Sequence, residues 1–163
     1  MSRIFMTVGT TSFDEAISTV LTQDIINIFK KLGYKYLTIQ TGNTKLNLAP
    51  SITYDDFFVF CYKFKSSIQE DIREADFVIS HAGAGSCIEV LNAKKPLLVI
   101  VNEKLMGNHQ LELANALESR GCLHYCTCSN IKEILGKDFR SLNDAPEINT
   151  KEFVKYLDGL MGF

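Results

Sequence analysis

Residues 4–8 form a short apolar run closed by Gly9, and directly beyond it the spacing of apolar residues changes. Phe13, Ile17, Val20, Leu21, Ile25, Ile28, Phe29 and Leu32 recur at intervals of three and four. The first pattern predicts a buried strand and the second an amphipathic helix. Ser12 and Glu15 have the spacing of a capping box at the helix start, Asp24 is a point of interruption or bending, and Gly33 suits the end. The same alternation continues. Strands are expected at Tyr36–Gln40, Phe57–Tyr62, 77–80, 97–101 and 123–127, with residues 41–56 as a polar loop. Helices are expected at 66–75, 85–93, 108–119 with Asn108 as N-cap and Gly121 as stop, Ile131–Leu135 as a short turn, and 151–160.

Strands that alternate with helices imply parallel strands joined by right-handed crossovers. The fold class is therefore α/β, an open, mostly parallel, doubly wound (Rossmann-like) sheet. With 163 residues, 46% hydrophobic, the chain suffices for one domain with a real core, taken as 1–163. In such sheets ligands sit beyond the carboxyl ends of the strands. Three loops leave strands there: Gly9-Thr10-Thr11, His81 to Ser86, and Asn102 to Gln110.

Net charge is −2 with no long basic run, which argues against nucleic acid as a partner, because phosphate-backbone binding needs clustered Lys and Arg. The longest apolar run, 96–101, is far below a membrane span, and the N-terminus reads as lacking a leader peptide. Five cysteines, an odd number without a disulfide spacing, suit a reducing, cytosolic setting.

The stretch SHAGAGSCIEVL, residues 80–91, carries the most chemistry. Gly83 and Gly85 let backbone N–H groups approach a ligand, and the helix that follows presents free donors and a partial positive charge. Together these suit an anion, above all phosphate. His81 and Ser86 add side-chain donors, while the carboxylate of Glu89 suits a ribose diol. A second reading stands beside this one: Ser86 and Glu89 are themselves spaced as a capping box, which needs no ligand. Asn108, His109 and Gln110 follow the next strand and face the same edge, where amide and imidazole groups suit sugar hydroxyls.

Other motifs fail. No G-x-x-x-x-G-K-[ST] is present, Gly9-Thr-Thr-Ser does not match G-x-G-x-x-G, and Ser86 does not sit in G-x-S-x-G. No D-x-D is present to hold a nucleotide sugar through a metal. Cys122, His124, Cys126 and Cys128 alternate as on one strand face, but strand rise spreads the outer pair by about 20 Å, too far for one ion. No metal or cofactor is expected.

HAGAGSCIE, followed by a proline, a strand and NHQLELANAL, resembles the C-terminal donor-binding half of GT-B glycosyltransferases of the family 28 type. With VGTTSFD, QEDIREADFVISHAGAGS and YCTCS in order, the chain is most similar to the catalytic subunit family of the eukaryotic dolichol-pathway UDP-N-acetylglucosamine transferase, over residues 1 to about 135. The resemblance implies that His81 contacts the donor diphosphate and stabilises the leaving group. It implies that Gly83, Gly85 and Ser86 form the phosphate-binding helix start and that Glu89 holds the ribose. Gly9, Thr10 and Thr11 would lie beside the diphosphate, and Asn108, His109 and Gln110 by the donor sugar. His109 stands where plant members carry Asp.

The implied reaction moves GlcNAc from UDP-GlcNAc to dolichol-diphosphate-GlcNAc, with inversion and a β1,4 linkage. The implied setting is the cytosolic face of the endoplasmic reticulum. One half-domain without a recognisable base implies a membrane-anchored partner subunit, with the 151–160 helix docking on this domain or on that partner. A bacterial-type two-component polysaccharide transferase subunit and a non-catalytic nucleotide-binding module are the alternatives.

Overall fold

The computed structural model describes residues 2–102 and 109–142; the expected N-cap Asn108 and the expected helix at 151–160 lie outside the described residues. In chain order the elements are β1 (Arg3–Thr7), α1 (Asp14–Val20), α2 (Gln23–Lys31), β2 (Tyr36–Gln40), β3 (Ser51–Tyr54), β4 (Phe57–Tyr62) and α3 (Gln69–Glu74). They continue with β5 (Phe77–His81), α4 (Ala84–Asn92), β6 (Leu97–Ile100), α5 (His109–Ser119), β7 (His124–Cys126) and α6 (Ile131–Leu135). The strands form one sheet in the order β3-β4-β2-β1-β5-β6-β7, parallel except for β3, which runs antiparallel to β4. This is the expected doubly wound α/β sheet.

Apolar packing on both faces explains the sequence pattern. On β1, Ile4 and Met6 join one core with Ile17, Ile25, Phe29 and Ile39, while Phe5 joins the other with Ile72, Val78, Val90 and Leu91. A strand buried on both faces reads as consecutive apolar residues, as in Ile4, Phe5 and Met6 of β1, Phe77, Val78 and Ile79 of β5, and all of β6.

The single helix expected over 12–32 is two helices. The break falls at Leu21 and Thr22, before Asp24: Thr22 takes extended backbone (φ −68°, ψ 149°) and its hydroxyl donates to the Thr19 carbonyl at 2.8 Å. Asp24 sits in the first turn of α2, where a carboxylate suits the helix dipole, and it accepts from Lys132 Nζ at 2.6 Å. The capping box at Ser12 does not form. The helix starts at Asp14 behind Phe13, whose side chain is drawn into the core, and no side chain caps it. Gly33 ends α2 as expected: at φ 94° it donates to the Lys30 carbonyl, and Tyr34 N donates to the Phe29 carbonyl, the paired bonds of a Schellman motif.

The 41–56 segment is not all loop, since β3 pairs with β4 through a turn at Asp55 and Asp56, with Asp55 at φ 53°. Tyr54 anchors the hairpin to the core side by donating its hydroxyl to the Leu21 carbonyl at 2.9 Å. The third helix is shorter than the expected 66–75, spanning Gln69–Glu74, with Ser67 Oγ accepting from Gln69 N.

The topology locates the crevice. From β1 the chain runs outward through β2 to β4, then returns to β5 on the other side of β1 and runs outward again. Loops at that reversal diverge and leave a cleft beyond the carboxyl ends of β1 and β5. Among the described residues no helix is long and apolar enough to cross a membrane.

Candidate functional site

His81 is the last residue of β5, and its half-buried ring lies between the two loops that flank the cleft. A methyl group built on Gly9 would come within 2.8 Å of His81 Cε1, and one on Gly83 within 2.2 Å of His81 Nε2. Both glycines therefore serve the imidazole, since any side chain at either position would displace it. Gly9 also takes φ 65°, a conformation that favours glycine. The expectation that Gly83 and Gly85 act alike is sharpened: Gly83 makes room for His81, whereas a methyl on Gly85 would meet no described residue within 4 Å.

Burial pushes the pKa of His81 below the ordinary imidazole range, and a contact with the Thr7 backbone offsets part of that effect. That contact falls short of hydrogen-bond geometry, for the buried Nδ1 has no partner among the described residues. The imidazole is thus neutral at neutral pH, with donor and acceptor capacity still available. Its neighbour Ser80 is buried and donates its hydroxyl to the His81 carbonyl at 2.8 Å, so it is a structural residue.

Beyond Gly83 the chain turns straight into α4. Gly83 is the N-cap, in extended backbone, and no side chain caps the helix. The expected Ser86–Glu89 capping box is overturned, because the helix begins at Ala84 and places Ser86 in its third position. The first intrahelical bond runs from Cys87 N to the Gly83 carbonyl at 3.1 Å, leaving the amides of Ala84, Gly85 and Ser86 without intrahelical partners. Charge at this end is distinctive as well. Asp14 and Glu15, Asp24, Glu70 and Asp71, Glu112 and Glu133 occupy the first turns of the other described helices, and α4 has no acid there. Among the described residues the start of α4 is a positive dipole end without a compensating acid or a side-chain cap, directly beside His81.

The loop after β1 forms the other wall. Thr10 and Thr11 are exposed, but the Thr11 hydroxyl is turned inward to donate to the Val8 carbonyl at 2.7 Å. Of the two threonines, Thr10 is the one whose hydroxyl has no partner among the described residues. Residues not anticipated from sequence hold this loop. Thr7 Oγ1 accepts from Gly9 N at 3.0 Å and donates to Gln40 Oε1 at 2.5 Å, both Thr7 and Gln40 being buried. Asn43 donates from its backbone to the Thr11 carbonyl at 3.1 Å and from Nδ2 to the Thr10 carbonyl at 2.9 Å. The TGNT turn at 41–44, directly after a strand, was the available signal, but its partners lie some thirty positions away in sequence, about as far as the 33 residues between Asn43 and Thr10.

Glu89 sits on α4 about 7.5 Å further along the axis than Ala84. It is exposed and lines an open groove of about 570 Å³ with Gln69, Ile72 and Arg73 of α3 and Asn92, Ala93 and Lys95. No hydrogen bond joins it to His81 or to the 9–11 loop among the described residues, so the structure groups it with α3. His109 and Gln110 are the first two residues of α5, which follows the loop leaving β6 at the same sheet edge. In the cysteine-rich segment, Cys126 is buried in the core, its thiol pushed up to about 12, and the His124 ring packs edge-on against Phe139 at 4.8 Å.

Three kinds of likeness agree with this geometry. The family model for the glycosyltransferase family 28 C-terminal domain matches residues 3–157. The UDP-N-acetylglucosamine transferase subunit ALG13 of Mus musculus is 52% identical over 128 residues, covering 78% of this chain. The chain spans only 11% of that relative's length. The subunit of the same name from Kluyveromyces lactis is 30% identical over 171 residues, with 86% of each chain covered. A solution NMR structure of ALG13 superposes with a TM-score of 0.71 at 25% identity, covering 96% of this chain and 94% of that one.

Proposed function

The chain belongs to the glycosyltransferase family 28 C-terminal domain family, and from that premise we propose that it is the donor-binding, catalytic subunit of a two-subunit N-acetylglucosaminyltransferase. The whole chain, 1–163, acts as a single nucleotide-sugar-binding domain. It moves GlcNAc from UDP-GlcNAc to dolichol-diphosphate-GlcNAc, inverting to a β1,4 linkage. The observation that carries the proposal is the acid-free start of α4 beside an imidazole wedged between Gly9 and Gly83. The names of the mouse and yeast relatives, UDP-N-acetylglucosamine transferase subunits, support the donor and a role as one subunit of a larger enzyme.

In this reading the diphosphate lies across the start of α4. Departure of the sugar leaves additional negative charge on the UDP, and the amides of Ala84, Gly85 and Ser86 are already aimed where it develops. Preorganised donors of this kind favour the transition state over the ground state. Burial lowers the pKa of His81 in the free protein, and the arriving diphosphate acts in the opposite direction by favouring the imidazolium. Thr10 and Ser86 add hydroxyl donors, Glu89 takes the ribose diol, and Asn108, His109 and Gln110 contact the sugar.

Inversion needs a base on the acceptor hydroxyl. A membrane-anchored partner at the cytosolic face of the endoplasmic reticulum supplies that base, the second half of the cleft and access to the lipid. Co-purification with such a partner, followed by transfer assays with UDP-GlcNAc and other UDP-sugars, tests the proposal. Transfer of GlcNAc to the dolichol-linked acceptor only by the complex is expected. Full transfer by the chain alone, or none by the complex, contradicts it.

A further inference from the structure

The amide donors of the β1 loop are held by a residue outside the motifs that define the cleft. Asn43 makes two bonds to that loop, from its backbone N to the Thr11 carbonyl and from Nδ2 to the Thr10 carbonyl. Peptide planarity converts these bonds into a statement about the next amides. No peptide bond among the described residues is cis, so each carbonyl points opposite to the N–H in its own plane. Fixing the Thr10 carbonyl fixes the Thr11 N–H, and fixing the Thr11 carbonyl fixes the Ser12 N–H.

Sheet order supplies the direction. The loop after β2, which contains Asn43, lies on one side of β1, and β5 with the start of α4 lies on the other. Carbonyls drawn towards Asn43 therefore turn the Thr11 and Ser12 amides towards the cleft. Neither amide has a partner among the described residues.

The anchor is itself fixed. Thr41 N donates to the Tyr62 carbonyl at 2.7 Å and Gly42 N to the Lys63 carbonyl at 3.1 Å, which ties the turn to the end of β4. Gly42, at φ 59°, lies so close to the loop that a methyl on it would come within 2.3 Å of the Thr11 carbonyl oxygen. Asn43, by contrast, is exposed, so its replacement disturbs no core packing.

We infer that Asn43 is a positioning residue, which aims the Thr11 and Ser12 amides at the donor diphosphate opposite the start of α4. The inference rests on the donor-site reading above. Titration of the ¹⁵N-labelled chain with UDP, combined with transfer kinetics of the partnered enzyme, tests it. In the wild type, UDP is expected to shift the amides of Thr11 and Ser12 together with those of Gly85 and Ser86. Asn43→Ala keeps the backbone bond to the Thr11 carbonyl and loses only the Nδ2 bond to the Thr10 carbonyl, so Thr11 loses its response while Ser12, Gly85 and Ser86 keep theirs. The KM for UDP-GlcNAc rises about tenfold, the loss expected for one hydrogen bond to an ionised group, while kcat and melting temperature change little. Asn43→Asp, which sets a carboxylate against the Thr10 carbonyl, has a larger effect on KM. Unchanged KM and unchanged amide shifts in Asn43→Ala overturn the inference. If UDP moves Gly85 and Ser86 but not Thr11 and Ser12 in the wild type, the inference falls and the donor site stands. If it moves neither pair, the donor site falls and takes the inference with it.

Discussion

The helices that follow β1 and β5 begin at the same edge of the sheet, on either side of one cleft, and they are finished in opposite ways. The start of α1 has its dipole offset by acids of the chain itself. Asp14 and Glu15 occupy its first turn, and Asp14 accepts from Thr44 Oγ1 and from Lys45 N at 3.2 Å. Phe13 plugs the approach from the core side. The start of α4 has a glycine N-cap, no acid and, among the described residues, open space over Gly85. One helix start completes the fold, and the other leaves its charge and donors for a ligand. The other described helices carry an acid in the first turn, and the exception coincides with the candidate site.

That contrast can be broken from either side. The largest effect is expected from Gly83→Ala, whose new methyl overlaps the His81 ring. Misplacing a group in the site by about 1 Å costs on the order of 100-fold in rate, so transfer should fall at least that far, and steady-state assays of the partnered enzyme check it. Next is Gly85→Asp, which gives α4 the acid that α1 already has. A Cβ at this position meets no described residue within 4 Å. The helix should gain about 0.3–1 kcal/mol in a melting experiment while UDP-GlcNAc binding weakens, by about tenfold or more for a repelled charge at that position. Loss of stability with unchanged binding would show that α4 is an ordinary helix start.

The mirror change, Asp14→Ala, removes the acid from α1 and its two bonds. It should lower stability by about 1–2 kcal/mol in chemical denaturation and leave the KM for UDP-GlcNAc within about threefold. The smallest effect concerns pH. His81 is held below its ordinary value by burial, so the unfolded chain takes up its proton first as pH falls. The stability that follows is full above about pH 6.5, the unfolded value, and declines as pH drops through 6.5 towards the folded pKa. His81→Gln should flatten melting temperature against pH below neutrality; parallel curves for the two proteins would assign the slope to other groups.

The difference between the two helix starts was only half legible in the sequence. The strands were readable because burial on both faces forces long apolar runs, and Gly33 was readable because the Schellman turn demands its conformation. His81, Gly83 and Gly85 stood out by composition. The caps did not, because Ser12–Glu15 and Ser86–Glu89 fit the capping box equally well as local strings. Tertiary contacts decided against both: Phe13 is pulled into the core, and Gly83 is claimed by the His81 ring, which sets the helix start at Ala84. The β3 strand was missed because Ser51–Tyr54 is half exposed and polar, so its pairing with β4, more than its own pattern, makes it a strand. Glu89 and the 41–44 turn depend on neighbours from distant segments, α3 for one and the β1 loop for the other.

The most direct measurement is a crystal structure of the chain in complex with the proposed membrane-anchored partner and UDP-GlcNAc. The expected result places the diphosphate within hydrogen-bond distance of the amides of Gly85 and Ser86, with His81 on the same oxygens and Glu89 at the ribose. A diphosphate bound away from the start of α4, with His81 making no contact to it, would contradict the assignment.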